Sequence, residues 1–432
     1  MSRPAAPTGS PHGGVAGTAW YWHAQPVFLG GNEVQLLQGG DALFPAMEAA
    51  IARARHEIWL ATYIFHHDPS AERMAAALAA AAARGVRVRV VVDGFGSHAS
   101  LARLQQWLQP QGVALAVFRP LERWWNWLQP GQLRRLHQKL CVVDGEVGFV
   151  GGINVIDDRV DLNHGPLDAP RLDFAVEVRG PAVLPIEQAS RAVWTRAAFG
   201  RDWQGEMLAL ARSAKPMSGL RRLLRSVRLM PPLPALPQRP DPVQVALVVR
   251  DNLRQRRAIE RAYIEAIDGA RQRVDLISPY FYPGQGFRRA LRRAARRGVQ
   301  VRLLLQGRPD YRLAATAARV LYDELLGQGV QIFEYTPAFL HAKVCVVDDD
   351  WATVGSSNID PLSLLLNLEA NLLVRDRAFA ATTAAAFEQA VALSQRVTDA
   401  PLGRGAFAAL RRGLIASLAH WYLRMAGLSG RY

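Results

Sequence analysis

The sequence predicts an α/β protein built from two similar halves, and two internal repeats indicate this. The first repeat lies 204 positions apart and matches nine of eighteen residues, HQKLCVVDGEVGFVGGIN at 137–154 with HAKVCVVDDDWATVGSSN at 341–358. The second repeat pairs ARGVRVRVVVDG at 83–94 with RRGVQVRLLLQG at 296–307. Because the repeats share one order along the chain, each half is expected to be a domain-sized α/β unit that supplies one half-site.

Each half shows strands alternating with helices. β-branched apolar runs indicate buried strands, and apolar residues at helical spacing, bounded by Gly or Asp, indicate helices. In the first half we predict a helix ending at Arg55, a strand at 58–65, a helix at 71–84 and a strand at 86–92. In the second half we predict a helix at 252–270, a strand at 274–277, a helix at 286–297 and a strand at 299–305.

The domain boundaries follow from composition. Proline, glycine and arginine clusters mark the segments between and beyond the halves, and the last segment has apolar residues at helical spacing among arginines. The predicted divisions are a disordered or membrane-proximal lead-in at 1–30, a first half at 31–212, a linker at 213–243, a second half at 244–400 and a basic amphipathic helix at 401–432.

Charge and cysteine usage limit the environment of the protein. A formal net charge of +15 predicts an anionic partner, either nucleic acid or an acidic membrane surface. The two cysteines, Cys141 and Cys345, stand at equivalent repeat positions, where we expect buried, reduced thiols of a cytosolic protein. We expect no signal peptide and no spanning helix, so that any membrane contact is peripheral.

The repeated histidines and lysines predict chemistry on a phosphate. His137 and Lys139, like His341 and Lys343, are two residues apart, which places them on one face of a strand. The chain has only three lysines and uses arginine elsewhere, so two lysines at matched positions indicate a need for a compact cation. One imidazole is a candidate nucleophile, the other a candidate proton donor and acceptor, and the ammoniums would hold phosphate oxygens.

Six further residues complete the predicted site. Two asparagines follow glycine-rich turns and are expected to donate amide N–H bonds to the phosphate. Two carboxylates at the start of later strands are expected to orient the imidazoles. Two aspartates of the repeat lie seven residues past the histidines, and this odd spacing predicts a structural role on the opposite face. In that order, these residues are Asn154 and Asn358, Asp173 and Glu369, and Asp144 and Asp348.

The paired signature His-x-Lys-x4-Asp-x6-Gly-Gly/Ser-x-Asn resembles that of the phospholipase D superfamily. Over nearly its full length the chain is similar to bacterial cardiolipin synthases, and most to a short branch without N-terminal transmembrane helices. The resemblance implies two α-β-α sandwich halves with mixed sheets and a pseudo-twofold axis. It places the active site at their interface.

The resemblance also implies a reaction without metal or cofactor. A phosphatidyl group leaves phosphatidylglycerol, forms a phosphohistidine and passes to a second phosphatidylglycerol, which releases glycerol. By this analogy His137 is the nucleophile, His341 the general acid and base, and Asp144 and Asp348 complete the catalytic signature. The expected partner is a phosphatidylglycerol-containing membrane surface on the cytoplasmic face of the bacterial inner membrane, with no nucleic acid and no obligate protein partner.

One departure and two alternatives accompany this interpretation. Gly152 and Ile153 stand where the second copy has Ser356 and Ser357, so the first copy lacks a hydroxyl and the halves are expected to contribute unequally. One alternative is a phosphodiesterase that uses water as acceptor, either a phospholipase or a nuclease. The other is a non-catalytic membrane scaffold, against which the completeness of both motifs argues.

Overall fold

The computed structural model describes eight parts of the chain, residues 25–120, 134–162, 164–199, 242–251, 255–308, 319, 321–360 and 367–398. The predicted C-terminal helix, most of the predicted linker and most of the lead-in lie outside these residues. Leu29 is within them and forms an antiparallel bridge with Val245 of the second half. Ordered pairing therefore begins before residue 31, the position at which we placed the start of the first half.

The first half contains nine strands and four helices in its described residues. They are β1 Glu33–Gln38, α1 Gly39–Arg53, β2 Glu57–Thr62, α2 Pro69–Ala83, β3 Arg87–Asp93, α3 Leu101–Leu108, β4 Ala114–Phe118, β5 Leu140–Val143, β6 Val147–Gly151, β7 Val160–Asp161, β8 Gly165–Pro166, β9 Phe174–Arg179 and α4 Val183–Phe199.

The second half repeats this order in the residues that are described. Its elements are β10 Gln244–Arg250, α5 Ala258–Gly269, β11 Arg273–Ser278, α6 Gln285–Arg296, β12 Gln300–Gln306, α7 Tyr322–Leu326, β13 Gln331–Tyr335, β14 Val344–Val347, β15 Trp351–Gly355, β16 Glu369–Arg375, α8 Arg377–Ala392 and β17 Ser394–Val397.

The two large sheets have equivalent topologies. The first runs β1-β9-β6-β5-β2-β3-β4, and the second runs β10-β16-β15-β14-β11-β12-β13 with β17 added at the edge. Three neighbouring strands in each sheet are parallel, β2-β3-β4 in the first and β11-β12-β13 in the second, and the other pairs, including β13 with β17, are antiparallel. This confirms the predicted α/β class with mixed sheets in two related halves.

Three hydrophobic clusters show how the layers pack. One lies between the first sheet and helices α1 to α3, and a second lies between the second sheet and α5 to α7. The third unites the inner faces of both sheets with α4 and α8, and includes Val176, Ile186, Val354 and Phe387. Because this central cluster is shared, burial of apolar surface holds the two halves against each other.

Local signals explain where several elements begin. Asp68 accepts a hydrogen bond from the Ala71 amide and Pro69 opens α2, as expected for an N-cap followed by a helix-starting proline. Asp376 caps α8 in the same way. The strand that we assigned to the whole repeat begins only at Leu140, so His137 and Lys139 lie in the extended segment that precedes β5. His137 instead bonds through its amide to Leu368 of the other half, while the Lys139 carbonyl still accepts from the Gly151 amide of β6 at 3.4 Å.

Candidate active site

Each repeated histidine is fixed by a backbone bond to the opposite half. The His137 amide donates to the carbonyl of Leu368 at 2.9 Å, and the His341 amide donates to the carbonyl of Leu172 at 2.9 Å. Leu368 immediately precedes β16 and Leu172 lies two residues before β9. The segment before each motif strand is thus held beside the start of a carboxylate-bearing strand from the other half.

The imidazoles are paired with carboxylates in a crossed arrangement. His137 Nδ1 lies 3.0 Å from Glu369 Oε2, and His341 Nδ1 lies 2.6 Å from Asp173 Oδ2. His137 Nδ1 also lies 3.1 Å from the carbonyl oxygen of Ser356. Both neighbours of that nitrogen are acceptors, so Nδ1 carries the proton and Nε2 keeps its lone pair for reaction.

The lysines lie under the histidines. Lys139 Nζ donates to the His137 carbonyl at 2.8 Å, and Lys343 Nζ donates to the His341 carbonyl. Both side chains are buried. Burial lowers the pKa of Lys139 to about 7 and that of Lys343 to about 8. Lys343 further lowers the pKa of Lys139, so ammoniums from the two halves act on one space.

The electrostatics favour neutral imidazoles in the free site. Burial lowers the pKa of His137, although the Glu369 carboxylate opposes it. The pKa of His341 is well below its ordinary value because of burial and of the two lysines. Burial raises the pKa of Asp173 to about 6, with Lys343 acting in the opposite direction. An anion that enters this cationic pocket would relieve the repulsion.

The two asparagines flank the same segments. Asn154 Oδ1 accepts a bond from the Ile64 amide at 3.2 Å, which leaves its NH₂ group as the donor for a ligand. Asn358 Oδ1 is buried without a hydrogen-bond partner among the described residues. Both side chains are therefore placed for polar contacts that a bound group would complete.

The halves differ at the carboxylates. Ser356 Oγ donates to Glu369 Oε2 at 2.6 Å and accepts from the Ala370 amide at 3.0 Å. At the equivalent Gly152, a Cβ atom would overlap Asp173 Oδ1, so a side chain is excluded by the close approach of that carboxylate. In the second copy, the Ser356 hydroxyl thus holds Glu369. The first copy has Gly152 at this position, so no equivalent hydroxyl bonds Asp173.

The aspartates of the signature accept hydrogen bonds from backbone amides at the starts of neighbouring strands. Asp144, with φ of 53°, accepts from the amides of residues 55, 56 and 57 at the start of β2. Asp348, with φ of 52°, accepts from the amides of residues 271 to 273 at the start of β11. In the described residues neither carboxylate bonds an imidazole. This geometry supports the structural role derived from spacing, and it does not support counting Asp144 and Asp348 in the catalytic set.

Sequence reasoning missed three residues beside the histidines. Asp93 Oδ2 accepts from the Leu136 amide at 2.8 Å, and Gln306 Oε1 accepts from the Leu340 amide at 3.0 Å. Asp93 and Gln306 end β3 and β12. They also occupy the same position of the repeat that pairs residues 83–94 with 296–307, so the sequence contained the information needed to find them. The ring of Tyr63 lies 5.1 Å from that of His137 and 5.5 Å from Lys139 Nζ, a contact with no repeat to reveal it.

The described residues contain neither a metal-binding cluster nor a membrane-spanning helix. No group of three or more His, Cys, Asp or Glu side chains there is arranged to hold a metal ion. No helix among those residues has the length and apolar character needed to cross a bilayer.

Comparisons with known proteins agree with this geometry. The sequence profile of the family described as "Cardiolipin synthase, PLD-like domain" matches residues 47–165 and 263–391, which include both histidine motifs. The chain belongs to this family. It is 37% identical over 359 residues to cardiolipin synthase B of Escherichia coli strain K12, covering 81% of this chain and 78% of the relative. It is also 37% identical to cardiolipin synthase A of Pseudomonas fluorescens strain SBW25, covering 82% and 67%.

A solved structure supports the fold of the cardiolipin synthase family. The chain is similar to phosphatidylserine synthase of Haemophilus influenzae, with a TM-score of 0.65 at 13% identity over 94% of this chain and 97% of that one. At this identity the likeness concerns the fold alone. Together, the family match and the fold confirm the predicted phospholipase D-like enzyme class, a phosphatidyltransferase.

Proposed function

We propose that the protein is a cardiolipin synthase that transfers a phosphatidyl group from one phosphatidylglycerol to another through a phosphohistidine. The observation that carries this proposal is the crossed pairing of His137 with Glu369 and His341 with Asp173. It yields two imidazoles, each with a free Nε2, beside two buried ammoniums. That set supplies a nucleophile, a proton carrier and phosphate binders in one place.

The first step forms the covalent intermediate. His137 Nε2 attacks the phosphorus of the donor phosphodiester, a P–N bond forms, and the P–O bond to the glycerol headgroup breaks. With the anionic phosphodiester bound, His341 carries a proton on Nε2 as well as on Nδ1, and it gives the Nε2 proton to the departing glycerol oxygen. Assignment of His137 as nucleophile is supported by Glu369, which is fully buried and also bonded by Ser356, so that it holds the imidazole in one orientation.

The second step consumes the intermediate. A hydroxyl oxygen of the second phosphatidylglycerol attacks phosphorus, the P–N bond breaks, and the proton of that hydroxyl passes to His341 Nε2. Cardiolipin leaves and both histidines return to their starting states. We assign Lys139, Lys343, Asn154 and Asn358 to the non-bridging phosphate oxygens in both steps, because buried cations and amide donors stabilise the charge that develops there.

The same proposal places the protein on a membrane surface. Its net charge of +15 supports attraction to anionic phospholipid, such as phosphatidylglycerol, on the cytoplasmic face of the bacterial inner membrane. The arginine-rich segment 401–432 would contribute to this contact. Sedimentation of the protein with phosphatidylglycerol vesicles, but not with neutral phosphatidylcholine vesicles, is the expected result at low salt.

The direct test is product analysis by mass spectrometry after the purified protein is mixed with phosphatidylglycerol vesicles. We expect cardiolipin and glycerol from the native protein, and neither product from His137→Ala or His341→Ala. His56→Ala is the matched control, since His56 is exposed and lies at the outer end of β2.

Other products would assign other functions. Phosphatidic acid without cardiolipin would mean that water is the acceptor, and the protein would be a phospholipase D-type hydrolase. Absence of any lipid product would redirect the search to nucleic acid. Unchanged lipid turnover in His137→Ala would remove His137 from the mechanism.

A further inference from the structure

Three arginines form a cluster beside the active site, which we call the arginine cluster: Arg119, Arg134 and Arg135. Arg119 Nη1 donates to the Arg134 carbonyl at 3.3 Å, and Arg135 Nη1 donates to the Arg119 carbonyl at 3.3 Å. These bonds tie the end of β4 to the segment that leads into the first histidine motif. They use two of the many guanidinium N–H groups and leave others for a ligand.

The charge of this cluster is poorly compensated. Within the described residues, Asp93 is the carboxylate that forms an ion pair with it, at 3.9 Å from Arg135 Nη1. Asp93 is fully buried and already accepts from the amides of Phe95, Gly96 and Leu136. Burial and the neighbouring guanidiniums lower the pKa of Arg119. Close packing of like charges in a half-buried place is costly unless an anion joins them.

The cluster is adjacent to the proposed nucleophile. Arg135 stands two residues before His137, and the intervening Leu136 amide is bonded to the same Asp93 carboxylate that faces Arg135. The charge of Asp93 also acts on Lys139, in the direction that raises the pKa of that lysine. An anion on these arginines would therefore lie beside a phosphate held at His137.

The described residues of the second half contain no equivalent cluster. The positions that correspond to Arg134 and Arg135 in the repeat are Ala338 and Phe339. Thr336 follows β13 as Arg119 follows β4, and each lies against the glycine that ends the preceding parallel strand. Within the described residues, Arg171 also acts on His341 but is paired with Asp161, whereas the three clustered guanidiniums lie on the first-half side. A site in which two phosphatidylglycerol molecules take different roles, donor and acceptor, needs such a difference, whereas phosphate binding at the histidines does not.

We propose that the arginine cluster binds the phosphodiester of the acceptor lipid, the phosphate that is not attacked. This inference rests on the proposed function, in which both substrates carry a phosphate and only one phosphate reacts. Guanidinium groups present paired N–H donors that match phosphate oxygens. Phe95, 53% exposed and packed 5.3 Å from the Arg135 guanidinium, offers an apolar surface next to the bound headgroup. The cluster would favour a lipid acceptor over water or glycerol.

Two reactions that pass through the same phosphohistidine, cardiolipin formation and glycerol exchange, distinguish binding of the acceptor phosphate from catalysis. Cardiolipin formation needs an acceptor that carries a phosphate. Exchange of labelled glycerol into phosphatidylglycerol needs only the donor lipid, because glycerol itself resolves the phosphohistidine. Both are measured on phosphatidylglycerol vesicles with Arg119→Gln and Arg134→Gln. Arg103→Gln is the control, since Arg103 is exposed on α3 and its loss removes the same charge.

We expect cardiolipin formation by Arg119→Gln and Arg134→Gln to fall about 10- to 100-fold, while glycerol exchange stays within about twofold of the native rate. Retained exchange also shows that the variants are folded. Arg119→Lys should recover part of the loss, since it restores the charge without the planar donor pair. Arg103→Gln should leave both rates near native values.

Three results would overturn the inference. If both rates fall in parallel with weaker vesicle sedimentation, the cluster is a general contact with membrane phosphates. If both rates fall while sedimentation is unchanged, it serves the donor phosphate instead. If neither rate changes, it binds no substrate phosphate. A native protein that shows neither cardiolipin formation nor glycerol exchange would instead refute the proposed function, and the two failures are therefore distinguishable.

Discussion

The two histidine–carboxylate pairs share a fold position but not an environment. His137 faces a glutamate that is also bonded by the Ser356 hydroxyl, whereas His341 faces an aspartate that is crowded against Gly152. The His341 side chain is 23% exposed and that of His137 is 11% exposed. The two halves share a seven-strand sheet topology, to which the second half adds β17, yet a few residue differences give the two imidazoles different surroundings. Duplication of the fold therefore supplies two histidine–carboxylate pairs at equivalent positions. Local packing then gives the two imidazoles different hydrogen-bond partners and different exposure.

The strongest contrast is expected when each carboxylate is made neutral. Glu369→Gln should lower cardiolipin formation about 10³- to 10⁴-fold, because the amide no longer fixes the protonation of His137. Asp173→Asn should lower it about 100-fold, because His341 acts only in proton transfer. Rapid quenching with labelled substrate should show little phosphohistidine in Glu369→Gln and an accumulated phosphohistidine in Asp173→Asn. The reverse pattern would exchange the roles of the two histidines.

Alanine at the equivalent positions 152 and 356 should give a second, smaller difference between the halves. Gly152→Ala introduces a Cβ into the space of Asp173 Oδ1 and should lower the rate about 100-fold by displacing that carboxylate. Ser356→Ala removes one hydrogen bond to Glu369 and should lower it about tenfold. Steady-state rates normalised to folded protein measure both. Unchanged activity in Gly152→Ala would show that Gly152 is not required by close approach of Asp173.

The pH dependence of kcat/KM should be bell-shaped, with its alkaline side set by the lysines. The pKa values of about 7 for Lys139 and about 8 for Lys343 mean that the ammoniums lose their protons as pH rises, so kcat/KM should fall about tenfold per unit above pH 7 and more steeply above pH 8. Because the pKa of His137 is lowered, its Nε2 stays reactive below pH 6.5. Bound phosphate stabilises the ammoniums, so the alkaline side of kcat should lie at higher pH. An unchanged kcat/KM up to pH 9 would contradict this assignment.

The smallest effect on catalysis is expected at the aspartates of the signature. Asp144→Ala and Asp348→Ala each remove a carboxylate that accepts several backbone amides, which should lower the free energy of unfolding by about 1 to 3 kcal/mol. Denaturant unfolding should show this loss in both variants. Activity per folded molecule should remain within about threefold of native, unlike that of Asp173→Asn. A complete loss of activity in the folded state would return these residues to the catalytic set.

Much of the fold could be predicted from the sequence. The repeats show which segments of the two halves are equivalent, and the spacing of their apolar residues distinguishes strands from helices. The strands at 87–93 and 300–306 and the helices at 69–83 and 285–296 agree with prediction to within about two residues. The helix expected to begin at 252 is described from Ala258. The odd spacing of Asp144 and Asp348 indicated their backbone contacts correctly, since alternation along an extended chain is a local property.

The rest of the site depends on contacts between distant segments. Asp173 and Glu369 stood out as orienting carboxylates, but no local rule states that each serves the histidine of the other half. That pairing follows from the backbone bonds at Leu172 and Leu368, which form only when the halves meet. Gln306 was missed because a neutral amide performs there the task that Asp93 performs in the first half.

Each histidine is paired with a carboxylate from the other half, so activity depends on contact between the two halves. A half that folded alone would present an imidazole without its partner carboxylate and would lack the geometry for group transfer. We therefore expect the enzyme to modify lipid only after its two halves have joined, so that a nascent chain with one folded half would not cleave phosphodiesters. Two polypeptides divided within 200–241 should be inactive apart and regain activity when mixed, in proportion to the complex they form.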